Sequence, residues 1–229
     1  MKALISKLIL TTAVETIVFA ALLFVPAGTL AWWRAWVFVA VVLVGTVAAS
    51  IGILDVNEDL LAERLKPPIQ KEQSLADKIL LPAMVATFAG LLVLVPVDVF
   101  RLYLLAKPNA IVSLLGLALF IAGWGIAYIG MRANAFAAPV IKYQEERQQV
   151  VVDTGPYHLV RHPMYTGGLL VFIGTPLWLE SSAATLLAIV PIGLLVLRIF
   201  AEEGFLRRTL PGYAAYAERV RYRLIPFLW

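Results

Sequence analysis

The sequence predicts an all-α, polytopic integral membrane protein with five to six transmembrane helices. Apolar residues make up 61% of the 229-residue chain and charged residues only 15%, and the mean hydropathy is +0.86. A water-soluble domain of this length could not bury so large an apolar fraction. The apolar residues also lie in long uncharged windows, and about 20 helical residues cross the hydrocarbon core of a bilayer. Soluble bundles, disordered chains and nucleic-acid-binding domains are therefore excluded.

Six windows are nearly free of charge: residues 16–33, 35–54, 79–97, 108–131, 162–179 and 181–198. The first four predict full transmembrane helices. The last two are joined by residues 180–183 alone, which predicts a helical hairpin that either crosses the bilayer or enters it and returns. The first apolar stretch is longer than the core of a signal peptide and has no clear cleavage pattern, so we expect a retained helix.

The basic residues predict the orientation of these helices. With the N-terminus in the cytoplasm and six membrane segments, only three of the 19 Lys and Arg residues fall outside, namely Arg34, Arg101 and Lys107. Cytoplasmic loops carry an excess of Lys and Arg. The distribution therefore predicts that both termini and both long polar loops are cytoplasmic, and it accounts for the net charge of +4.

We expect the chain to form one membrane domain, residues 1–229, in two parts. Residues 1–131 hold four transmembrane helices and a connector, residues 55–78, which mixes six acidic with four basic residues. The pattern of residues 57–65 predicts a short amphipathic helix. We expect the connector as a whole to be a solvated link. Residues 132–229 hold a polar loop, the hairpin and a terminal segment, 210–229, whose spaced aromatic and basic residues predict an interfacial amphipathic helix with headgroup anchors.

Residue types limit the chemistry that the chain could perform. It has no cysteine and only two histidines, His158 and His162. Disulfides, thiolate nucleophiles and Cys-ligated metal sites are excluded, and a cage of several histidines cannot form. We therefore expect a reaction that needs no metal.

The densest group of functional residue types is GPYHLVRHPMYTGG, residues 155–168. Pro163 suits the first turn of a helix and keeps the preceding residue out of helical geometry, so we expect His162 at the helix cap. The helix amides, with Arg161 and His162 beside them, then predict an anion site. Tyr157 and Tyr165 offer aromatic faces to an adenine or a cation. A structural alternative is a capped helix with interfacial anchors.

A second group, RIFAEEGFLRR, lies at residues 198–208. Arg198 and Glu202 are four residues apart, so an ordinary ion pair on one helix face is the structural alternative. Adjacent carboxylates, Glu202 and Glu203, at the end of a membrane helix are costly to bury and point to function. An anion site and a carboxylate site on one surface suit a zwitterionic ligand with a further positive centre, such as S-adenosylmethionine.

These groups, followed by GYAAY and a terminal RLIPFLW, resemble the isoprenylcysteine carboxyl methyltransferases and the related phospholipid methyltransferases. The resemblance extends over residues 149–229. It implies an integral membrane enzyme that binds S-adenosylmethionine on the cytoplasmic side and methylates a lipid or prenylated acceptor embedded in the membrane. Carboxyl O-methylation of an isoprenylcysteine-like group is the favoured reaction.

The resemblance also implies roles for individual residues. Arg198 corresponds to the arginine assigned to the acceptor. Glu203 is a candidate general base because of its residue type and its position near Arg198, and the resemblance does not assign it that role. The resemblance, together with the anion site expected at the helix start, predicts these cofactor-binding positions: Gln149, Val150, Val151, Val152, Tyr157, Arg161, His162, Pro163, Met164, Tyr165 and Glu202. Gln149 stands where an enzyme of the family has His, so only backbone contacts are expected at residues 149–152. Residues 1–132 show no matching motif and leave the acceptor open.

Three other functions are compatible with parts of the sequence. N-methylation of a phospholipid amine requires a base to remove a proton, and Glu203, His158 and Tyr157 are the candidates. A sterol-reductase-like enzyme has a similar RHP corner but would bind NADPH, for which the chain offers few phosphate-binding residues. A non-enzymatic membrane protein would use both groups only as caps and anchors. Cofactor binding distinguishes these functions.

Overall fold

The computed structural model describes residues 2–55 and 57–229, and within these residues it contains α-helices and no β-strand. The helices are α1 (Lys2–Ala27), α2 (Trp33–Leu54), α3 (Glu58–Arg64), α4 (Asp77–Val97), α5 (Ala110–Ala133), α6 (Pro163–Trp178), α7 (Ser182–Leu187), α8 (Ile189–Thr209) and α9 (Tyr213–Arg219). A π-helical turn, Asp98–Leu102, extends α4, and short 3₁₀ turns lie at Glu145–Arg147 and Gly155–His158.

Five segments of the described chain are long and apolar enough to cross a membrane: Lys2–Ala27, Trp33–Leu54, Leu75–Leu102, Ala110–Ala133 and Ser182–Thr209. The predicted all-α, polytopic fold is confirmed. The first helix begins at Lys2 rather than at residue 16, because its charged residues continue the same helix beyond the uncharged window.

The fifth predicted window, residues 162–179, forms α6, a helix of 16 residues. At the turn that follows it, the Glu180 carboxylate lies 3.1 Å from Arg34, which stands at the start of α2. The Arg34 side chain also donates to the Trp178 carbonyl at 3.0 Å. The tip of the hairpin therefore reaches the α1–α2 connection, at the end of the helices remote from residue 163.

Glycines allow α5 and α6 to pack with their backbones nearly in contact. A Cβ on Gly116 would stand 2.6 Å from the Trp178 amide, and one on Gly123 would stand 2.6 Å from the Gly167 carbonyl. One on Gly130 would stand 2.9 Å from the Met164 side chain. The spacing of seven residues along α5 keeps these three glycines on one face. Gly125 of the same helix meets only open space, so it is not part of this contact.

The connector packs against the helices and is not a solvated link as predicted. Its helix α3 lies within the predicted range, with the Asn57 side chain accepting a capping bond from the Leu60 amide. Leu60 and Leu61 are 1% and 4% exposed and belong to an apolar cluster that includes Met131 and Ala137. The amphipathic pattern was correct, and its apolar face covers the end of α5.

The terminal segment also differs from the prediction of a surface anchor. Its helix α9 spans only Tyr213–Arg219, and Tyr213 and Tyr216 are buried at 5% and 3% exposure. The residues after α9 form no further helix. Their carbonyls accept hydrogen bonds from the Arg161 and His162 amides at 2.9 Å, which holds the segment against the start of α6.

Candidate active site

A cavity of about 260 Å³ lies where the start of α6, the end of α8, α9 and the loop after α5 meet. The residues that line it include most of those that the sequence predicted: Gln149, Val150, Val151, Val152, Tyr157, Arg161, His162, Met164, Tyr165, Arg198 and Glu202. Pro163 and Glu203 do not line it. Two motifs separated by a membrane hairpin therefore form one cavity.

Local sequence explains how α6 begins at this cavity. His162 occupies the N-cap position and Pro163 the first helical position, as predicted, and the His162 side chain makes no capping bond. The first amides of the helix are thus not satisfied by that side chain, and they give this end of the helix a positive dipole. The His162 ring instead stacks on Tyr165, with ring centroids 5.4 Å apart.

Glu202 and Arg198 do not form the ordinary ion pair that their spacing allows. The Tyr165 hydroxyl donates to Glu202 Oε2 at 2.5 Å. Both side chains line the cavity, so the carboxylate retains acceptor capacity for a ligand. This contact links the two motifs directly.

Arg198 is held by a residue that the sequence did not indicate. Its Nε donates to Asp77 Oδ1 at 2.7 Å, and its Nη2 donates to the Pro139 carbonyl at 2.6 Å. Asp77 is fully buried at the start of α4, where it also accepts from Gln73 at 2.9 Å and from the Ile141 amide at 2.8 Å. Its carboxylate therefore fixes both the Arg198 guanidinium and the loop that forms one wall of the cavity.

Glu203, the predicted general base, lies behind the cavity wall. It is 4% exposed and lies 2.7 Å from Arg161, 3.1 Å from His162 and 3.2 Å from Arg223. The Arg161 guanidinium also donates to three carbonyls of the terminal segment, those of Ala217, Val220 and Arg221. Arg161 and Glu203 thus bind the terminal segment to the start of α6, and most of the charge of Arg161 is balanced within the protein.

The cavity is completed by further residues to which the sequence analysis assigned no role. They are Arg64, Asn134, Phe136, Ala137, Ala138, Pro139, Val140, Ile141, Lys142, Leu206, Leu210, Tyr213 and Tyr216. Burial raises the pKa of Tyr157 to about 12, and it also raises the pKa values of Tyr213 and Tyr216. These phenols therefore stay protonated at neutral pH and can donate hydrogen bonds or cover a ligand with their rings.

The composition of the cavity suits an organic zwitterion. It offers a carboxylate at Glu202, several aromatic rings, the backbone of residues 137–141 and a helix N-terminus. Among the described residues, no group of three or more His, Cys, Asp or Glu side chains is placed to hold a metal ion. The arrangement can bind a polar ligand beside an apolar wall.

Comparison with known proteins shows which family this part of the chain resembles. Residues 111–211 match the family model described as phospholipid methyltransferase. This stretch begins in α5 and contains the hairpin and the motifs of the cavity. The resemblance to membrane methyltransferases of the isoprenylcysteine and phospholipid type is thereby confirmed.

Individual relatives agree with that class at modest identity. The chain is 33% identical over 129 residues to a probable protein-S-isoprenylcysteine O-methyltransferase of Oryza sativa subsp. indica and to its counterpart in subsp. japonica, covering 53% of this chain and 65% of each relative. It is 31% identical over 110 residues to the cobalt-zinc-cadmium resistance protein CzcN of Cupriavidus metallidurans, covering 47% of this chain and 44% of that protein. The chain thus matches less than two thirds of the length of these relatives.

Proposed function

We propose that this protein is an S-adenosylmethionine-dependent methyltransferase of the membrane that methylates a lipid or prenylated acceptor, most favourably on a carboxylate. The observation that supports this proposal is the joining of the two motifs, residues 157–165 and 198–202, around one cavity. The names of the relatives point in the same direction. The cytoplasmic position of this cavity is part of the proposal and follows from the distribution of basic residues.

In this proposal the cofactor lies between the start of α6 and the end of α8. The Met164 amide, at the positive end of α6, receives its carboxylate, and Glu202 receives a cationic or hydroxyl group. Tyr157 and Tyr213 cover its apolar surface with their rings. Pro163 acts by setting the start of α6, and residues 149–152 contribute mainly their backbone.

The reaction transfers a methyl group without a covalent enzyme intermediate. When bound, S-adenosylmethionine supplies a methyl group on a positively charged sulfur, and its transfer to a carboxylate oxygen leaves a neutral thioether and a neutral ester. Arg198 orients the acceptor oxygens through its guanidinium, which Asp77 and Pro139 already hold in place. The contribution of the protein is orientation and the exclusion of water.

None of the three bases named for an amine acceptor is available at the cavity wall, which favours a carboxylate over an amine. An ammonium must lose its proton before it can attack, whereas a carboxylate is ionised at neutral pH. Of the three candidate bases, Glu203 and His158 do not line the cavity, and Tyr157 has a pKa of about 12. In the proposal Glu203 is a positioning residue. Methylation of a phospholipid amine is the second candidate, favoured by the printed name of the matching family.

The test is calorimetric titration of the detergent-solubilised protein with S-adenosylmethionine and, separately, with NADPH. We expect micromolar binding of S-adenosylmethionine alone. Glu202→Gln and His162→Ala should each weaken it by about tenfold or more, because hydrogen bonds to charged groups contribute about 1.5–3 kcal/mol. Glu218→Gln is the matched control, since Glu218 is exposed on α9 and does not line the cavity.

The group that is methylated is then determined with a methyl-labelled donor and two acceptors, S-farnesylated N-acetylcysteine and phosphatidylethanolamine. A base-labile methyl ester on the first supports carboxyl methylation, whereas label on the amine of the second favours the other candidate. Binding of NADPH alone, or of neither cofactor, contradicts the methyltransferase proposal.

A further inference from the structure

A second arginine lies on the cavity wall beside Arg198. Arg64, the last residue of α3, donates from Nη1 to the Ala137 carbonyl at 2.8 Å. Arg198 donates to the Pro139 carbonyl at 2.6 Å. These carbonyls are two residues apart, and two residues of extended chain span at most about 7 Å. The two guanidinium groups therefore share one short stretch of the wall.

The two arginines differ in how their charges are balanced. Arg198 forms an ion pair with the buried Asp77 at 2.7 Å, whereas Arg64 forms no ion pair with any carboxylate in residues 2–55 and 57–229. Burial lowers the pKa of the Arg64 guanidinium, against the opposing influence of Tyr157 and Glu15. Glu15 offsets part of this charge without forming an ion pair with Arg64. A half-buried cation with no carboxylate in contact is still costly, and the binding of an anion lowers that cost.

The remaining charges on the wall divide the cavity into two sides. Glu202 is the only carboxylate among the lining residues, and it lies on the side formed by Tyr165. Lys142 is engaged by Glu63, and Arg161 by Glu203. Arg64 is thus the cation of the cavity wall that no contacting carboxylate balances, and it lies on the wall that α3 and residues 137–139 form.

We propose that Arg64 and Arg198 together bind an oxyanion of the acceptor, a carboxylate or a phosphate, and that this pair makes the enzyme select acidic over neutral or amine acceptors. Both groups present planar N–H donors that match two oxygens at once, a geometry that an ammonium cannot copy. The role of the pair in catalysis rests on the proposed function. Its preference for an anion is a binding property that can be measured without turnover.

The test uses a prenyl chain of constant length with three end groups: N-acetyl-S-farnesylcysteine, its carboxamide and farnesyl monophosphate. Affinities are measured by calorimetry in detergent, with and without S-adenosylhomocysteine. Wild type should bind the carboxylate at least about tenfold more tightly than the carboxamide, because one bidentate charged contact is lost in the amide. If farnesyl monophosphate binds more tightly than the carboxylate, the site is assigned to phosphate acceptors. If it binds more weakly, the site is assigned to carboxylate acceptors.

In Arg64→Gln the dissociation constants of the carboxylate and the carboxamide should differ by no more than about threefold. Arg64→Lys should give a preference between that of Arg64→Gln and that of wild type. Both variants should bind S-adenosylhomocysteine as wild type does, which shows that they are folded. Arg132→Gln is the control, since Arg132 is exposed at the end of α5 and does not line the cavity.

Equal affinity of wild type for carboxylate and carboxamide, or an unchanged preference in Arg64→Gln, overturns the inference. A failure of the proposed function is distinct: S-adenosylhomocysteine would not bind, while the preference for an anion measured without it would persist.

Discussion

The cavity is built from two regions that differ sharply in what their sequences reveal. Residues 149–210 carry dense motifs, and nearly every position predicted there lines the cavity. The connector, residues 55–78, was interpreted as a solvated link, yet it supplies Arg64 to the wall and Asp77 to hold Arg198. Arg198 and Asp77 are 121 residues apart in the chain.

This difference teaches that local pattern identifies groups that act together with their neighbours in sequence. His162, Pro163 and Tyr165 are adjacent, so backbone rules for one helix start apply to all three. A single acidic residue such as Asp77 looks like any charge at the end of an apolar helix. Its role comes from contacts with α8 and with residue 141, which only the folded chain brings together.

The largest effect should come from Asp77→Asn, which removes the charge that balances Arg198. Breaking a buried ion pair on one side costs about 3–5 kcal/mol. We expect a clearly lower unfolding temperature and a loss of methyl transfer of at least about 100-fold. Thermal unfolding in detergent and a methyl-transfer assay measure the two effects.

Asp55→Asn is the matched control for this substitution, because Asp55 is an exposed acid of the same connector. It should change stability by no more than about 0.5 kcal/mol. If Asp77→Asn behaved like Asp55→Asn, the connector would be the passive link that its sequence suggests.

An intermediate effect is expected for Tyr165→Phe, which tests the link between the two motifs. The substitution removes the hydroxyl that donates to Glu202 at 2.5 Å but keeps the ring that stacks on His162. The affinity for S-adenosylmethionine should fall by about tenfold, since a hydrogen bond to a charged group contributes about 1.5 kcal/mol or more. Calorimetry measures this loss. Tyr143 does not line the cavity, so Tyr143→Phe should leave the affinity unchanged, and equal affinities in the two variants would contradict the link.

The smallest effect concerns the docking of the connector at low pH. Glu63 is buried, which by itself raises its pKa, but hydrogen bonds from Lys142 and Lys66 outweigh burial and lower the pKa below the ordinary value of 4.5. A carboxyl whose pKa is lowered by folding stabilises the folded state above its unfolded pKa, and this stabilisation disappears as the pH falls through the folded pKa. The protein should therefore lose some stability below pH 4.5.

Unfolding temperatures of wild type and Glu63→Gln, compared between about pH 6 and about pH 3, measure this contribution. The difference between the two proteins should shrink as the pH falls. Glu145→Gln, an exposed acid nearby, should show no such convergence, and a constant difference for Glu63→Gln would contradict the assignment.

Composition and local backbone rules were sufficient to predict the membrane class and the cap of α6. These features depend on residues close together in sequence or repeated along one helix. The start of α1 at Lys2 and the burial of Tyr213 and Tyr216 were missed, because charged or aromatic residues at a membrane boundary fit both an anchor and a buried contact.

The placement of the two carboxylates of α8 shows the same limit. Glu202 and Glu203 are neighbours, and apart from the family resemblance no sequence pattern separates their roles. Helical geometry turns successive side chains by about 100°, so Glu202 faces the cavity and Glu203 faces Arg161 and the terminal segment. Which of the two faced the ligand depended on how α8 is rotated against α6, and tertiary packing sets that rotation.

The clamp between the terminal segment and the start of α6 has a consequence for the biogenesis of the protein. The amides of Arg161 and His162 donate to the carbonyls of residues 222 and 223, which follow the hairpin in the chain. Until those residues are synthesised, these two amides have no protein partner, and the cavity lacks part of its support. We therefore expect that the helices of the hairpin insert first and that the cavity is complete only once residues 222 and 223 have been added. Substitutions that displace these two residues should accordingly weaken ligand binding without preventing insertion of the helices.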